Sequence, residues 1–130
     1  MNRYLQEVLD AHVLIGDWLG NADNPASLCD DLLSRFSPAF SMVTPAGTGL
    51  DFTSLARFFR SQHGARKGLK IEIEEMKLIA EHENGATVTY KERQHIPGQN
   101  LTCRFSTVVF ECTEEGSIRW RHLHETLLAA

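Results

Sequence analysis

The sequence predicts an α+β domain in which three helices pack on a strongly bent antiparallel β-sheet and enclose an internal cavity. Three observations lead to this fold class. Apolar residues recur at helical spacing in the first half of the chain, the spacing becomes two from Leu69 onward, and the turn-like segments ENG, IPGQN and TEEGS divide the second half. Helices followed by strands are typical of α+β proteins, and 130 residues without a repeat or linker indicate one domain over 1–130.

The first two helices follow from apolar spacing and from the segment between them. Apolar residues at intervals of three and four predict a helix over Arg3–Leu19. The segment GNADNP ends this helix, and Asp23 or Asn24 is expected to cap the free amides of the next. The second helix is expected near Ala26 to Phe36.

A short strand and a third helix come next. Phe40 and Met42 alternate with small or polar residues, which predicts a strand that ends in the turn-rich segment TPAGTG. The third helix is expected to begin at a cap formed by Asp51 or Thr53. Gly64 is suited to the left-handed conformation that closes many helices.

The three turns predict which residues oppose each other in the sheet, when each loop is centred on its own middle residue. The resulting pairs are Phe110–Trp120, Val108–His122, Ser106–His124 and Arg104–Thr126 across TEEGS; Tyr90–Ser106 and Glu92–Arg104 across IPGQN; and Leu78–Tyr90 and Met76–Glu92 across ENG. All of these residues are even-numbered, so the three turns agree on one inward face. Ile71 and Ile73 are odd-numbered, which predicts a bulge near Glu74–Glu75.

Polar residues on this inward face are the candidates for function. Glu92 opposite Arg104 forms either a structural ion pair or a functional one, in which Arg104 holds an anionic or carbonyl oxygen while Glu92 orients it or accepts a proton. Tyr90, Ser106 and His124 share the neighbouring row, where they can orient a ligand, and His124 is the second candidate proton carrier.

The remaining candidates are mostly apolar. We expect Trp18, Phe40, Met42 and Phe58 to form the apolar wall of the cavity. His122 falls in a row with two valines, and its side chain is expected to contact the ligand from a drier environment. Two further segments are assigned structural roles: His12 as a core histidine, and the segment GARKG as a solvated turn.

Composition excludes several classes of function. A net charge of −4 without a basic stripe argues against nucleic acid as a partner, and no apolar run reaches the ~20 residues of a membrane span. The odd set of three cysteines without CxxC spacing, and the absence of a signal-like N-terminus, indicate a cytoplasmic protein. His122 and His124 lack a third ligand at characteristic spacing, so we expect neither a metal nor a cofactor.

Four stretches carry a resemblance to a known family: FSPAFSMVTPAGTGLD, HGARKGLKIEIE, VTYKERQ and WRHLHETLL. In this order they resemble the nuclear-transport-factor-2-like superfamily, whose cystatin-like α+β cone also occurs in ketosteroid isomerase, scytalone dehydratase and the SnoaL-type polyketide cyclases. The chain is most similar to an uncharacterised bacterial SnoaL-like branch. The resemblance implies a cone that opens between helices and sheet, and a homodimer formed through the outer sheet face.

Three hypotheses of function follow. The first is a protein that binds a small organic molecule, partly apolar and with one polar or anionic group. The second is an acid–base enzyme of the isomerase, cyclase or dehydratase type, with Glu92 or His124 as the base. The third is a non-catalytic dimerisation domain, for which Phe105, Val109 and Leu123 would form the interface.

Overall fold

The structure, a computed structural model, describes residues 1–129. Three helices and six strands follow in the order α1 (Arg3–Gly20), α2 (Ser27–Leu33), β1 (Phe36–Val43), β2 (Gly49–Asp51), α3 (Phe52–Ser61), β3 (Lys70–His82), β4 (Gly85–His95), β5 (Thr102–Cys112) and β6 (Ile118–Leu127). The strands form one curved sheet in the order β2–β1–β6–β5–β4–β3. The α+β class and the helical cover of a bent sheet are confirmed, although β1 and β6 run parallel rather than antiparallel.

The first two helices differ in how well their ends were predicted. The side chain of Asn2 caps α1 by accepting a hydrogen bond from the backbone N–H of Tyr4 at 2.8 Å. The predicted cap of α2 is wrong: its N-cap residue is Ala26, which makes no side-chain cap bond. This helix also ends at Leu33 rather than near Phe36, because the chain enters β1 at Phe36.

The third helix begins as expected and leads into a loop that is tied to α1. Asp51 caps α3, since its carboxylate accepts the backbone N–H of Ser54 at 2.8 Å. Gly64 has φ +67°, and a Cβ at this position would lie 2.5 Å from the Cβ of Ala22, so no larger residue fits. The loop 64–68 then donates three backbone N–H groups to the last carbonyls of α1. These bonds fix the loop, including Arg66, at the end of α1.

The central strand pair β4–β5 has the predicted register. Tyr90 opposes Ser106 and Glu92 opposes Arg104. The predicted β5–β6 register is correct from the turn up to Phe110–Trp120 and wrong beyond it, because β6 contains a bulge: Val109 opposes His122. One additional residue reverses the alternation of the rest of the strand, so the side chains after the bulge lie on the opposite faces from those predicted.

The edge pair β3–β4 contains the bulge that the sequence predicts. The register shifts between Glu74 and Lys77, and Glu75 has a positive φ of 55°. The partners differ from those expected, since Leu78 opposes Val88 rather than Tyr90. Glu92 correspondingly opposes Ile73 rather than Met76. The ENG segment makes a two-residue turn, and a second register shift lies between Leu78 and Ala80. These two features change the partner of Leu78, and the bulge adds the further shift at Glu92.

The core fills the sheet's concave side where the first turns of α1 pack on β4 and β5. Tyr4, Val8, Val88 and Val108 are completely buried there. Trp120 lies deeper along the sheet and donates its indole N–H to the carboxylate of Glu7 at 3.0 Å. This packed end leaves the other end of the cone, beside the second half of α1, for a cavity.

Candidate functional site

The cavity has a volume of about 230 Å³ and two chemically different walls. The apolar wall comes mainly from β1 and α3 and includes Phe36, Phe40, Met42, Leu55, Phe58 and Phe59. Further apolar lining comes from α1, the segment after β1, β2 and β6: Ile15, Leu19, Pro45, Leu50, Trp120 and Leu123. The polar wall comes from α1, the loop 64–68 and strands β4 to β6 and consists of His12, Arg66, Glu92, Gln94, Arg104 and Glu125. A molecule in this cavity therefore contacts both a group of apolar side chains and a group of charged side chains.

His12 and Glu92 form a buried ion pair that joins α1 to the sheet. Nε2 of His12 lies 3.2 Å from Oε1 of Glu92, and both side chains are nearly inaccessible to solvent. The other ring nitrogen, Nδ1, lies 2.7 Å from the carbonyl oxygen of Val8, which can only accept. Nδ1 therefore carries a hydrogen, and a second proton lies between Nε2 and the carboxylate.

The pKa values of this pair move in opposite directions. Burial by itself lowers the pKa of His12, but the charge and hydrogen bond of Glu92 outweigh it and raise the pKa above its usual value. Burial raises the pKa of Glu92, yet His12 and the amide of Gln94 outweigh burial and lower it to about 2. While the shared proton is bound, these opposite shifts place it on His12 rather than on Glu92, which makes the pair an imidazolium and a carboxylate.

A chain of hydrogen bonds continues from Glu92 toward Arg66. The side-chain amide of Gln94 donates to Oε2 of Glu92 at 2.6 Å. Nη1 of Arg66 donates to Oε1 of Gln94 at 3.3 Å, while its guanidinium carbon lies 5.9 Å from the ring centre of Phe58. Arg66 thus connects the polar wall to the apolar wall.

Glu125 and Arg104 form the second ion pair of the polar wall. Nη1 of Arg104 donates to Oε1 of Glu125 at 3.2 Å, and the hydroxyl of Ser106 donates to Oε2 at 3.4 Å. Burial raises the pKa of Glu125, and the negative charge of Glu92 raises it further. Of the two cavity carboxylates, Glu125 is therefore the one that is protonated at the higher pH.

Five of the predicted site residues line the cavity: Phe40, Met42, Phe58, Glu92 and Arg104. The predicted Glu92–Arg104 ion pair does not form, although the two residues are cross-strand neighbours. Each charge has a different partner, Glu92 binding His12 and Arg104 binding Glu125. The reason is that the helix brings an imidazole to Glu92, and the bulge in β6 brings a carboxylate to Arg104.

The predicted positions of the two histidines are wrong. His124 is exposed on the outer sheet face, where it opposes Thr107. His122 lies on the same outer face, and its Nδ1 is 2.7 Å from the hydroxyl of Ser41. The bulge at Arg121 moves both imidazoles outward and turns Leu123 and Glu125 inward instead.

Three other predicted residues lie behind the cavity surface. Trp18 is buried, donates its indole N–H to the carbonyl of Phe59 at 2.7 Å and stacks on His63. Tyr90 is completely buried, and its hydroxyl has no hydrogen-bond partner among residues 1–129. Ser106 is buried as well and reaches the site only through its bond to Glu125.

The sequence interpretation missed four residues of the polar wall. His12 was expected in the core, and Arg66 was expected in a solvated turn. Gln94 follows Glu92 on the same strand face, so its position could have been read from the alternation that placed Glu92. The sequence pattern did not indicate the position of Glu125, because the bulge in β6 determines which face of the sheet its side chain occupies.

Other kinds of site are not found in the described part of the chain. Residues 1–129 contain no group of three histidine, cysteine, aspartate or glutamate side chains positioned to hold a metal ion. None of the three helices within that range has both the length and the apolar character needed to cross a bilayer.

Comparison with solved structures finds a relative of high similarity. An NTF2-like protein of unknown function from Pseudomonas aeruginosa is 45% identical, with 97% of this chain and 98% of that chain covered and a TM-score of 0.91. No protein-family model and no curated protein matches the sequence.

More distant structures share the fold. A proposed dehydratase of the NTF2-like family from Streptomyces avermitilis is 18% identical over 99% of both chains, with a TM-score of 0.71. The association domain of the kinase CaMKII from C. elegans is 13% identical over 95% of both chains, with a TM-score of 0.72.

The curved sheet, the three covering helices and the internal cavity define an α+β cone with a two-sided site. Together with the similarity over nearly the whole length to the Pseudomonas protein, they establish the family. The chain belongs to the NTF2-like proteins.

Proposed function

We propose that this protein binds a small organic molecule in the cone cavity, with an apolar body against the phenylalanines and one polar or anionic group against the polar wall. The carrying observation is the division of one cavity into two such walls. Ligand sites are typically apolar recesses with a few convergent polar groups that fix orientation. A purely structural interior would fill this volume with side chains, because protein cores are close-packed.

The proposal is tested by thermal shift with a panel of cyclic ketones and small carboxylates, since a ligand of the folded state raises the melting temperature by mass action. Met42→Trp fills the apolar wall and should abolish the shift. The matched control is Ile79→Trp, because Ile79 is 57% exposed and lies outside the cavity. Equal shifts in both variants would place the ligand elsewhere and refute the cavity as its site.

Acid–base catalysis is the second candidate function, and the pKa contrast between two cavity carboxylates favours it. Glu92 is a poor base because its pKa is about 2, whereas burial raises the pKa of Glu125 beside the guanidinium of Arg104. Glu125 replaces Glu92 and His124 as the base in this hypothesis: it accepts a proton from the carbon next to a carbonyl, and Arg104 stabilises the enolate oxygen. Deuterium exchange of cyclic ketones in D₂O measures this step, and Glu125→Gln should abolish it without abolishing ketone binding.

We also propose a homodimer that forms through the outer sheet face. Phe105 and Val109 lie there, each 38% exposed, whereas the third residue expected in this interface, Leu123, is buried inside the cone. The name of the CaMKII association domain supports assembly of this fold. Sedimentation should give a dimer that Phe105→Glu dissociates, while Val13→Glu, on an exposed position of α1, leaves it intact.

Two further assignments rest on the sequence. We infer that the chain belongs to a SnoaL-like branch within its family, because WRHLHETLL and FSPAFSMVTPAGTGLD occur in the order typical of that branch. We infer a cytoplasmic location from the three cysteines, none of which forms a disulfide within residues 1–129.

A further inference from the structure

The hydrogen-bond donors of the polar wall outnumber its acceptors. Each guanidinium carries five N–H groups, and within residues 1–129 Arg66 and Arg104 each use one of them on a side-chain partner. Each acceptor oxygen of Glu92, Gln94 and Glu125 already accepts one hydrogen bond, whereas Nε of Arg104 is buried without a partner within residues 1–129. The unused capacity of this wall is therefore for a ligand that accepts hydrogen bonds.

The charges of the wall point the same way. His12, Arg66 and Arg104 are three positive groups, and Glu92 and Glu125 are two negative ones, which leaves one positive charge in excess when all are ionised. Protonation of Glu125 would increase the excess. An uncompensated charge in a secluded site is unfavourable, and one anionic group on the ligand would neutralise it.

The two guanidiniums are held in place before any ligand arrives. The backbone N–H of Arg66 donates to the carbonyl of Leu19 at 2.9 Å, and its side chain is fixed between Gln94 and the ring of Phe58. Arg104 is anchored by Glu125, and its side chain is 19% exposed. Positioned guanidiniums bind carboxylates with good geometry at little entropic cost.

The apolar wall and the volume restrict the rest of the ligand. Four phenylalanines, Phe36, Phe40, Phe58 and Phe59, line the same cavity as the guanidiniums, and Arg66 lies over the ring of Phe58. The volume of about 230 Å³ exceeds the ~150 Å³ of an engineered cavity that holds benzene. One aromatic ring with a carboxylate therefore fits within this volume.

We propose that the ligand is a small aromatic monocarboxylate whose carboxylate binds between Arg66 and Arg104 while its ring packs on the phenylalanines. This inference rests on the proposed small-molecule function and adds the chemical class of the ligand. It also assigns a binding role to Arg66 and gives Glu125 the role of limiting affinity by its negative charge.

The test is calorimetry at pH 6 with benzoate and with its neutral isostere benzamide. The native protein should bind benzoate about tenfold or more tightly than benzamide, because only the carboxylate pairs with both guanidiniums. Arg66→Gln should remove most of this preference, because it weakens benzoate binding far more than benzamide binding. Arg93→Gln is the matched control, since Arg93 pairs with Glu74 outside the cavity, and it should keep the preference.

Two more variants separate an effect on binding from a folding defect, because neither is expected to abolish benzoate binding. Arg104→Lys retains the charge and should bind benzoate with intermediate affinity, and Glu125→Gln should tighten benzoate binding by removing the competing carboxylate. Equal binding of benzoate and benzamide by the native protein would overturn the carboxylate inference. Binding of cyclic ketones without benzoate would overturn it too but preserve the proposed function, and no binding of any of these compounds would overturn both.

Discussion

Strands β4 and β6 each bury one glutamate in the same cavity, with opposite consequences. Glu92 on β4 meets an imidazolium and has its pKa lowered to about 2. Glu125 on β6 meets Arg104, yet burial and the charge of Glu92 raise its pKa. The comparison teaches that the neighbours supplied by other elements, rather than the strand position, decide whether a buried carboxylate is structural or able to exchange a proton.

The largest expected effect comes from a change at the bulge in β6, because the bulge determines that Glu125 faces the cavity. Deleting Arg121 alone would remove the extra residue and keep the present faces, so Arg121 and His122 are deleted together. Regular alternation beyond the deletion would then turn Leu123 and Glu125 outward and His124 inward. We expect a loss of about 5 kcal/mol or more in the free energy of unfolding, because apolar burial and an ion pair disappear together. Urea denaturation measures it.

A deletion in a loop provides the control for that experiment. Gln99 lies in the exposed connection between β4 and β5, where removal of one residue should cost little. Equal stability of the two deletion variants would mean that the bulge relocates along β6 and does not determine which side chains face the cavity.

The second prediction concerns Glu92. Since its pKa falls from 4.5 to about 2 on folding, its charge stabilises the fold above pH 4.5, and the contribution is lost as the pH falls toward 2. The raised pKa of His12 adds stability that is present below pH 6.5 and is lost as the pH rises through the folded value. Glu92→Gln should therefore cost about 3 kcal/mol between pH 4.5 and 6.5.

Chemical denaturation of Glu92→Gln across pH 2 to 8 measures this profile. Glu74→Gln is the control, because Glu74 is partly exposed on β3 and lies outside the cavity. A cost that stays constant across the whole range would show that the pair acts through packing and not through charge.

The third prediction reverses the sign for Glu125. Its pKa is raised on folding, so protonation stabilises the folded state fully below pH 4.5, and this contribution is lost as the pH rises through the folded pKa. Glutamine does not titrate, so the Glu125→Gln variant does not lose this stability at higher pH. It should therefore gain stability relative to the native protein as the pH rises from 4.5. Its pH profile thus slopes opposite to that of Glu92→Gln, and parallel slopes would contradict the assignment of the two carboxylates.

The sequence predicted the part of this site that depends on local alternation. The loop IPGQN and the regular spacing of β4 and β5 placed Tyr90, Glu92 and Arg104 on the concave face, as the register confirms. Phe40 and Met42 were located by the same reasoning on β1, and both line the cavity.

The rest depends on contacts between distant segments. His12 meets Glu92 across 80 residues of sequence, and Arg66 reaches the cavity because its loop bonds to the end of α1. The bulge at Arg121 was invisible because both phases of WRHLHETL place large side chains inward, Trp120 in one and Leu123 in the other. Local pattern gives the direction of a side chain only up to the first irregularity in its strand.

The smallest expected effects distinguish the two histidines that the bulge turns outward. His122 is partly buried and hydrogen-bonded to Ser41, so His122→Ala should cost about 1 kcal/mol, the usual net contribution of such a bond. His124 is exposed and makes no side-chain hydrogen bond within residues 1–129, so His124→Ala should stay within about 0.5 kcal/mol of the native protein. Neither substitution should change benzoate affinity, because neither imidazole lines the cavity. Thermal unfolding and calorimetry on both variants measure these effects, and Ser41→Ala should reproduce the loss seen in His122→Ala. A loss of ligand binding in His124→Ala would mean that His124 faces the cavity, as regular alternation of β6 predicts, and would contradict the bulge.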